Sequence, residues 1–272
     1  MNLLILIKNN GLDQSIVNFT TSLFKIDGVA IYLLNIVPIN GEVPTQMNGR
    51  VLPVCTEFDL SEHIKQTELN WNYLNTIEHK TIAKRDAFAG NKIRIIQDYI
   101  IQNKIDLIIG GAHKTTAMED VFVKTFASKA IENTNIPYFT IKCNRDNFTP
   151  KKIALIGDFI NAETEDLESL KKIAEMHNSQ ITLTKIWTDS DKRSKEAIEK
   201  VMNSYAIQNN LNVTNQIVKS RDKESGLALL EKDHETDLIV MPRSHKKTFF
   251  KLLGHTEQTD IINHIYAPIL IY

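Results

Sequence analysis

The stretch Asp106-Leu107-Ile108-Ile109-Gly110 returns as Asp237-Leu238-Ile239-Val240-Met241, 131 positions later. The stretch Ile136-Pro137-Tyr138-Phe139-Thr140-Ile141 returns as Ala267-Pro268-Ile269-Leu270-Ile271-Tyr272 at the same spacing. The separation from Asp to Pro is 31 residues in both copies, without a gap. A fixed internal period of this kind restricts the chain to architectures that use one unit twice.

Each copy also opens alike. Leu3 to Ile7 is a continuous apolar run, and Ile153 to Ile156 is another, after Lys151-Lys152. Short apolar runs without alternation predict strands buried on both faces of a sheet. Helical patterns are expected over 12–25, 60–78, 92–103 and 117–133, then over 163–177, 191–208, 223–234 and 252–265. The remaining strands are expected over 29–37, 78–86, 106–110 and 137–143, then over 180–187, 211–219, 237–241 and 268–272. Strands alternating with helices imply βαβ crossovers and a mostly parallel sheet.

Asn144 to Pro150 is polar, ends in proline and reads as the linker, which gives units of 1–146 and 150–272. The first unit is longer, and its surplus fits best as an insertion from Asn40 to Leu60, a stretch rich in glycine and proline. Such a loop is a lid, a partner contact or a solvated insertion.

The chain has 272 residues, 42% of them hydrophobic and 24% charged, an ordinary globular composition. Its 32 basic and 33 acidic side chains leave a formal charge of -1, so the overall field attracts neither nucleic acid nor an anionic membrane. No apolar run approaches the roughly 20 residues of a membrane span, and the opening strand lacks the basic flank of a secretory leader. Cys55 and Cys143 lie far apart, outside any metal or disulfide pattern, which points to the cytoplasm.

The repeated Asp-Leu-Ile strand, the loop and helix after it and the closing proline strand resemble the universal stress protein family in its tandem two-domain form. The resemblance runs over nearly the whole chain. It implies two adenine-nucleotide-binding-type, Rossmann-like α/β domains, each with a mostly parallel five-stranded sheet flanked by helices. They would pack through their last strands as an internal pseudo-dimer.

Members of that family that bind ATP carry Gly-x2-Gly-x9-Gly-(Ser/Thr) after the fourth strand and an Asp at the end of the first. Glycines let the backbone approach phosphate, and amides at a helix N-terminus hold the anion. Here the first-copy loop positions fall on Gly111, Lys114, Lys124 and Thr125, and the Asp position falls on Lys8. In the second copy Asp158 matches, preceded by Gly157, while the loop positions fall on Pro242, His245, His255 and Thr256, with Gly254 one place early. Proline removes an amide donor where one is wanted. Both loops are therefore degenerate.

Arg243, His245, Lys246, Lys247, Lys251 and His255 form a basic run that suits an anion or simply faces water. The eight histidines show no helical metal pair, and no nucleophile has an activating context. Asp98 and Asp106 read as solvated caps, and Glu163, Glu165, Asp166 and Glu168 as a helix first turn. Ile93, Ile96, Ile100 and Ile101, with Leu227, Leu229 and Leu230, read as helix stripes facing the core.

The resemblance implies a non-enzymatic cytoplasmic stress-response protein acting through ligand sensing or protein contacts, with no cofactor. The alternative is an ATP-binding protein, with Mg and slow hydrolysis, that uses a remodelled pocket in the second copy. The expected partners are a small anionic or nucleotide ligand and another protein, with a further homodimer left open. No nucleic acid and no membrane is expected.

Overall fold

The computed structural model describes residues 1–9, 11–25, 28–39, 46–47, 50–51, 60–111, 136–141, 146–160, 167–234, 236–241 and 267–272. In chain order the elements are β1 (Asn2–Leu6), α1 (Asp13–Phe24), β2 (Ala30–Pro38), β3 (Gln46–Met47), β4 (Arg50–Val51), α2 (Leu60–Leu74), β5 (Ile82–Gly90), α3 (Lys92–Asn103), β6 (Leu107–Gly111) and β7 (Tyr138–Ile141). The second copy supplies β8 (Lys152–Ile156), α4 (Glu168–His177), β9 (Gln180–Trp187), α5 (Lys195–Gln208), β10 (Val213–Lys219), α6 (Lys223–His234), β11 (Leu238–Met241) and β12 (Ile269–Ile271).

One ten-stranded sheet runs through the molecule in the order β10-β9-β8-β11-β12-β7-β6-β1-β2-β5. Its strands pair in parallel except at the centre, where β12 meets β7 antiparallel with Leu270 opposite Phe139. The closing strands of the two copies thus join the copies into one sheet. Strand residues alternate between two cores. Leu3, Ile5, Ile153 and Leu155 face α1, α2, α4 and α5, whereas Leu4, Leu6, Ala154 and Ile156 face α3 and α6. Burial on both faces explains why these strands read as unbroken apolar runs.

The repeated aspartates act as clamps, Asp106 from the exposed position expected of it. Asp106 accepts the Asn2 amide at 2.6 Å, and Asp237 accepts the amides of Lys151 and Lys152 at 2.7 and 2.9 Å. Each carboxylate fastens the start of its copy's first strand to the start of its fourth. In the repeated prolines the carbonyl does the pairing: Pro137 O accepts from Ile108 and Pro268 O from Ile239, both at 3.0 Å.

Several expectations shift. The strand expected at 78–86 runs from 82 to 90, because His79 and Thr81 close a turn on each other, Nδ1 to Oγ1 at 2.7 Å. Arg85 then reaches back to the carbonyls of Leu74 and Ile77, ending α2 early. Ile101 is 75% exposed and Leu229 37%, since each sits one step round from the buried Ile100 and Leu230. Tyr99 fills the core place expected of Ile101. The linker is partly core: Phe148 is buried and stacks on Phe19 at 4.8 Å. The inserted stretch carries the short antiparallel pair β3–β4. The expected helices at 117–133 and 252–265 lie outside the described residues.

Candidate functional site

The carboxyl ends of the strands in an open α/β sheet form the crevice where such folds bind ligands. The sheet register makes the crevices of the two copies comparable. Asn2 pairs with Ala30 as Lys152 pairs with Gln180, so Lys8 takes the place of Asp158 and Asn35 the place of Lys185. The caps of α3 and α6 extend the match. Asn91 accepts the amides of Ile93 and Arg94, and Asp222 accepts that of Ser225, so Lys92 corresponds to Lys223.

In the second copy, Gly157 follows β8 and donates its amide to Thr184 O at 3.2 Å. A Cβ on Gly157 would come within 3.0 Å of the Phe159 ring. Phe159 itself adopts φ 55° and packs against Tyr205 with ring centroids 4.9 Å apart. That turn aims Asp158 into the crevice, where its carboxylate meets three cations. Lys185 Nζ donates to its Oδ1, Lys223 Nζ lies 3.6 Å from Oδ2 and Arg193 Nη2 lies 4.0 Å from Oδ1.

Asp191 completes the group. It takes Lys185 at 3.1 Å and grips Arg193 with both oxygens, at 2.8 Å from Nε and 2.5 Å from Nη2. The side chain of Lys185 is only 4% exposed, so this charge depends on its two carboxylates. The hydrogen bonds from Arg193, with those from Lys185, outweigh burial and hold the Asp191 carboxyl well below the usual carboxylate range. The same pairing raises the Arg193 guanidinium.

The first copy is built with other chemistry. Lys8 donates Nζ to Gly111 O at 2.9 Å. Asp13, fully buried, accepts the amides of Lys8 and Asn9 and the Tyr73 hydroxyl. Burial and the Asp13 carboxylate push the Tyr73 hydroxyl up to about 12. Asn35 donates to Ile7 O and accepts from Asn70, which also accepts from Asn9 and Gln66. Burial first, then the charge of Lys8, pulls the Lys92 ammonium down to about 7.

Gly111 is set by packing. A Cβ there would meet Ile16 at 2.8 Å, and one on Gly110 would meet the Tyr138 hydroxyl at 2.2 Å. Of the residues predicted to bind a cofactor, the structure describes Gly111, Gly157 and Asp158. Lys114, Lys124, Thr125, Pro242, Arg243, His245, Gly254, His255 and Thr256 lie outside the described residues. Sequence reading missed Lys185, Asp191, Arg193 and Lys223. A lysine inside the otherwise uncharged strand from Ile181 to Trp187 was the available signal, because a cation on a core-facing strand needs a buried partner. Among the described residues no group of three His, Cys, Asp or Glu could hold a metal.

No family model matches the chain, and no curated protein matches it by sequence. Solved structures do match. A universal stress protein from Archaeoglobus fulgidus aligns over 99% of this chain and 95% of its own, with a TM-score of 0.67 at 15% identity. The fold is that of the universal stress proteins. A protein of unknown function from Pseudomonas aeruginosa shares it over 99% of this chain and 91% of its own, with a TM-score of 0.58 at 10% identity. The cytoplasmic domain of a prokaryotic cation chloride cotransporter is similar over 99% of this chain and 94% of its own, with a TM-score of 0.52 at 9% identity. The universal stress protein fold thus occurs here in its tandem form, both copies in one chain. No helix among the described residues is long and apolar enough to cross a membrane.

Proposed function

We propose that this is a non-enzymatic stress-response protein of the cytoplasm, which acts by sensing a ligand or contacting a partner rather than by turning over a nucleotide. Its working units are 1–146 and 150–272. The observation that carries the reading is the state of Asp158. The carboxylate at the position that resembles the family's nucleotide contact is engaged by Lys185, Arg193 and Lys223. A nucleotide using it would have to displace a buried ammonium from its counter-ions, at a cost of several kcal/mol.

The first copy supports the same reading from the opposite side. Lys8 stands at the corresponding position, and its ammonium holds the Gly111 carbonyl. The fold by itself does not decide function, since one scaffold hosts many chemistries.

Titration calorimetry of the full chain with Mg-ATP tests the proposal. The expected result is no saturable heat at millimolar nucleotide and no phosphate release. Saturable binding that Asp158→Ala abolishes would overturn it in favour of an ATP-binding protein working through the second-copy crevice.

A further inference from the structure

The two ends of the ten-stranded sheet are finished differently. β5 closes one end with Lys84, Arg85 and Asp86 in its middle, and its register against β2 shifts between Ile31 and Tyr32. Charges and broken register on an edge strand discourage further pairing. β10 closes the other end without either device. From Val213 to Val218 it carries no charge and no proline, and its register with β9 is unbroken from Val213 to Lys219. Thr214, Asn215 and Lys219 are exposed.

One hydrogen bond shows which backbone groups of β10 face outwards. Ser220 donates its amide to Trp187 O at 3.1 Å, so its N–H points toward β9. In a parallel pair the N–H and C=O of one residue lie on the same side, and successive residues alternate. Thr214, Gln216 and Val218 therefore also bond toward β9, while Val213, Asn215, Ile217 and Lys219 turn both groups away. Among the described strands β10 pairs with β9 alone. The result is a regular, uncharged row of donors and acceptors, a template for another strand.

We propose that β10 is the docking edge for a second copy of this chain, whose own β10 lies antiparallel across a two-fold axis at Gln216. This register sets Val213 opposite the partner's Lys219 and Asn215 opposite the partner's Ile217. Every outward N–H and C=O then finds a partner. No like charges oppose one another, because Lys219 meets an apolar residue and Gln216 meets the partner's Gln216. Pairing β10 with the partner's β5 would be a head-to-tail contact, which grows filaments unless it closes into a ring, whereas the two-fold pairing closes at two. It also continues the sheet by the arrangement found at its centre, where the equivalent strands β12 and β7 join the two copies antiparallel. The surface goes beyond the reading above and stands whether or not ATP binds.

Sedimentation velocity of the full chain over a range of concentrations tests the proposal. The wild type should form a dimer and no larger species. Gln216→Lys sets two ammonium groups face to face on the axis and should weaken the dimer about tenfold or more. Gln216→Glu should weaken it likewise, and mixing the two variants should restore it, a rescue that damage to the fold would not give. Asn215→Pro removes an outward N–H, which an edge strand tolerates, and should abolish the dimer with an unchanged circular dichroism spectrum. A wild type that stays monomeric, or that grows beyond two, would overturn the proposal. So would charged variants that dimerise as well as the wild type or show no rescue on mixing, and these decide the matter if Asn215→Pro fails to fold.

Discussion

The two crevices share a backbone turn and place charges of opposite sign at its tip, Lys8 in the first and Asp158 in the second. Lys8 and Lys92 are both cations in the first, and the charge of Lys8 adds to burial in depressing the Lys92 ammonium. At the matching places in the second, Asp158 and Lys223 attract, and Lys185 stands where the first copy has the neutral Asn35. The turn that presents these residues is the same in both. Asn9 and Phe159, each following the key position, adopt φ 57° and 55°. Duplication preserved the device that aims the side chain and let its charge change sign. The geometry of such a crevice is therefore no guide to its ligand until the side chains are read.

The most severe way to break the comparison is to remove the cation on which the second crevice depends. Lys185→Met leaves Asp158 and Asp191 short of a buried partner and should cost about 3–5 kcal/mol in urea unfolding. The equivalent Asn35→Ala removes hydrogen bonds but no charge, and should cost about 1–2 kcal/mol. Equal losses would show that the two crevices carry the same load.

Packing offers a second contrast. Gly110 and Tyr138 in the first copy correspond to Met241 and Ile269 in the second, a small–large pair exchanged for two of middle size. Gly110→Met should drive side-chain atoms into the buried Tyr138 and cost about 1–3 kcal/mol. Adding Tyr138→Ile should recover most of that loss, and a double mutant no better than the single would sink the size-exchange account.

The pH dependence of stability is the most diagnostic contrast, because the two copies respond to opposite ends of the pH scale. Lys92 is depressed from 10.5 to about 7, so its contribution to stability is whole above about 10.5. That contribution is lost as pH falls to 7 and gone below it. Unfolding free energy should thus rise between pH 7 and 10, and Lys92→Met should flatten that rise. Asp191 is depressed by Arg193, so its contribution is present above its ordinary 3.8 and lost as pH falls below it. Asp191→Asn should lower stability at neutral pH and flatten the acid limb. Acid limbs of the same slope in wild type and variant would remove Asp191 from the account.

The period of 131 and the unbroken apolar runs determined a great deal by themselves. They were enough for two copies, for parallel strands buried on both faces, and for α3 and α6, whose observed spans match the expected ones. This information is local: burial on both faces writes itself into consecutive residues, and a helix cap into two or three. The family resemblance, not the period, marked Asp158 as the residue in the crevice. Its partners were not legible, because Lys185, Arg193 and Lys223 lie 27, 35 and 65 positions further along the chain. Only the pairing of β8 with β9 and the placement of α6 bring these charges together. The charges that meet in a crevice come from several elements at once, so the tertiary structure alone decided which cations surround Asp158.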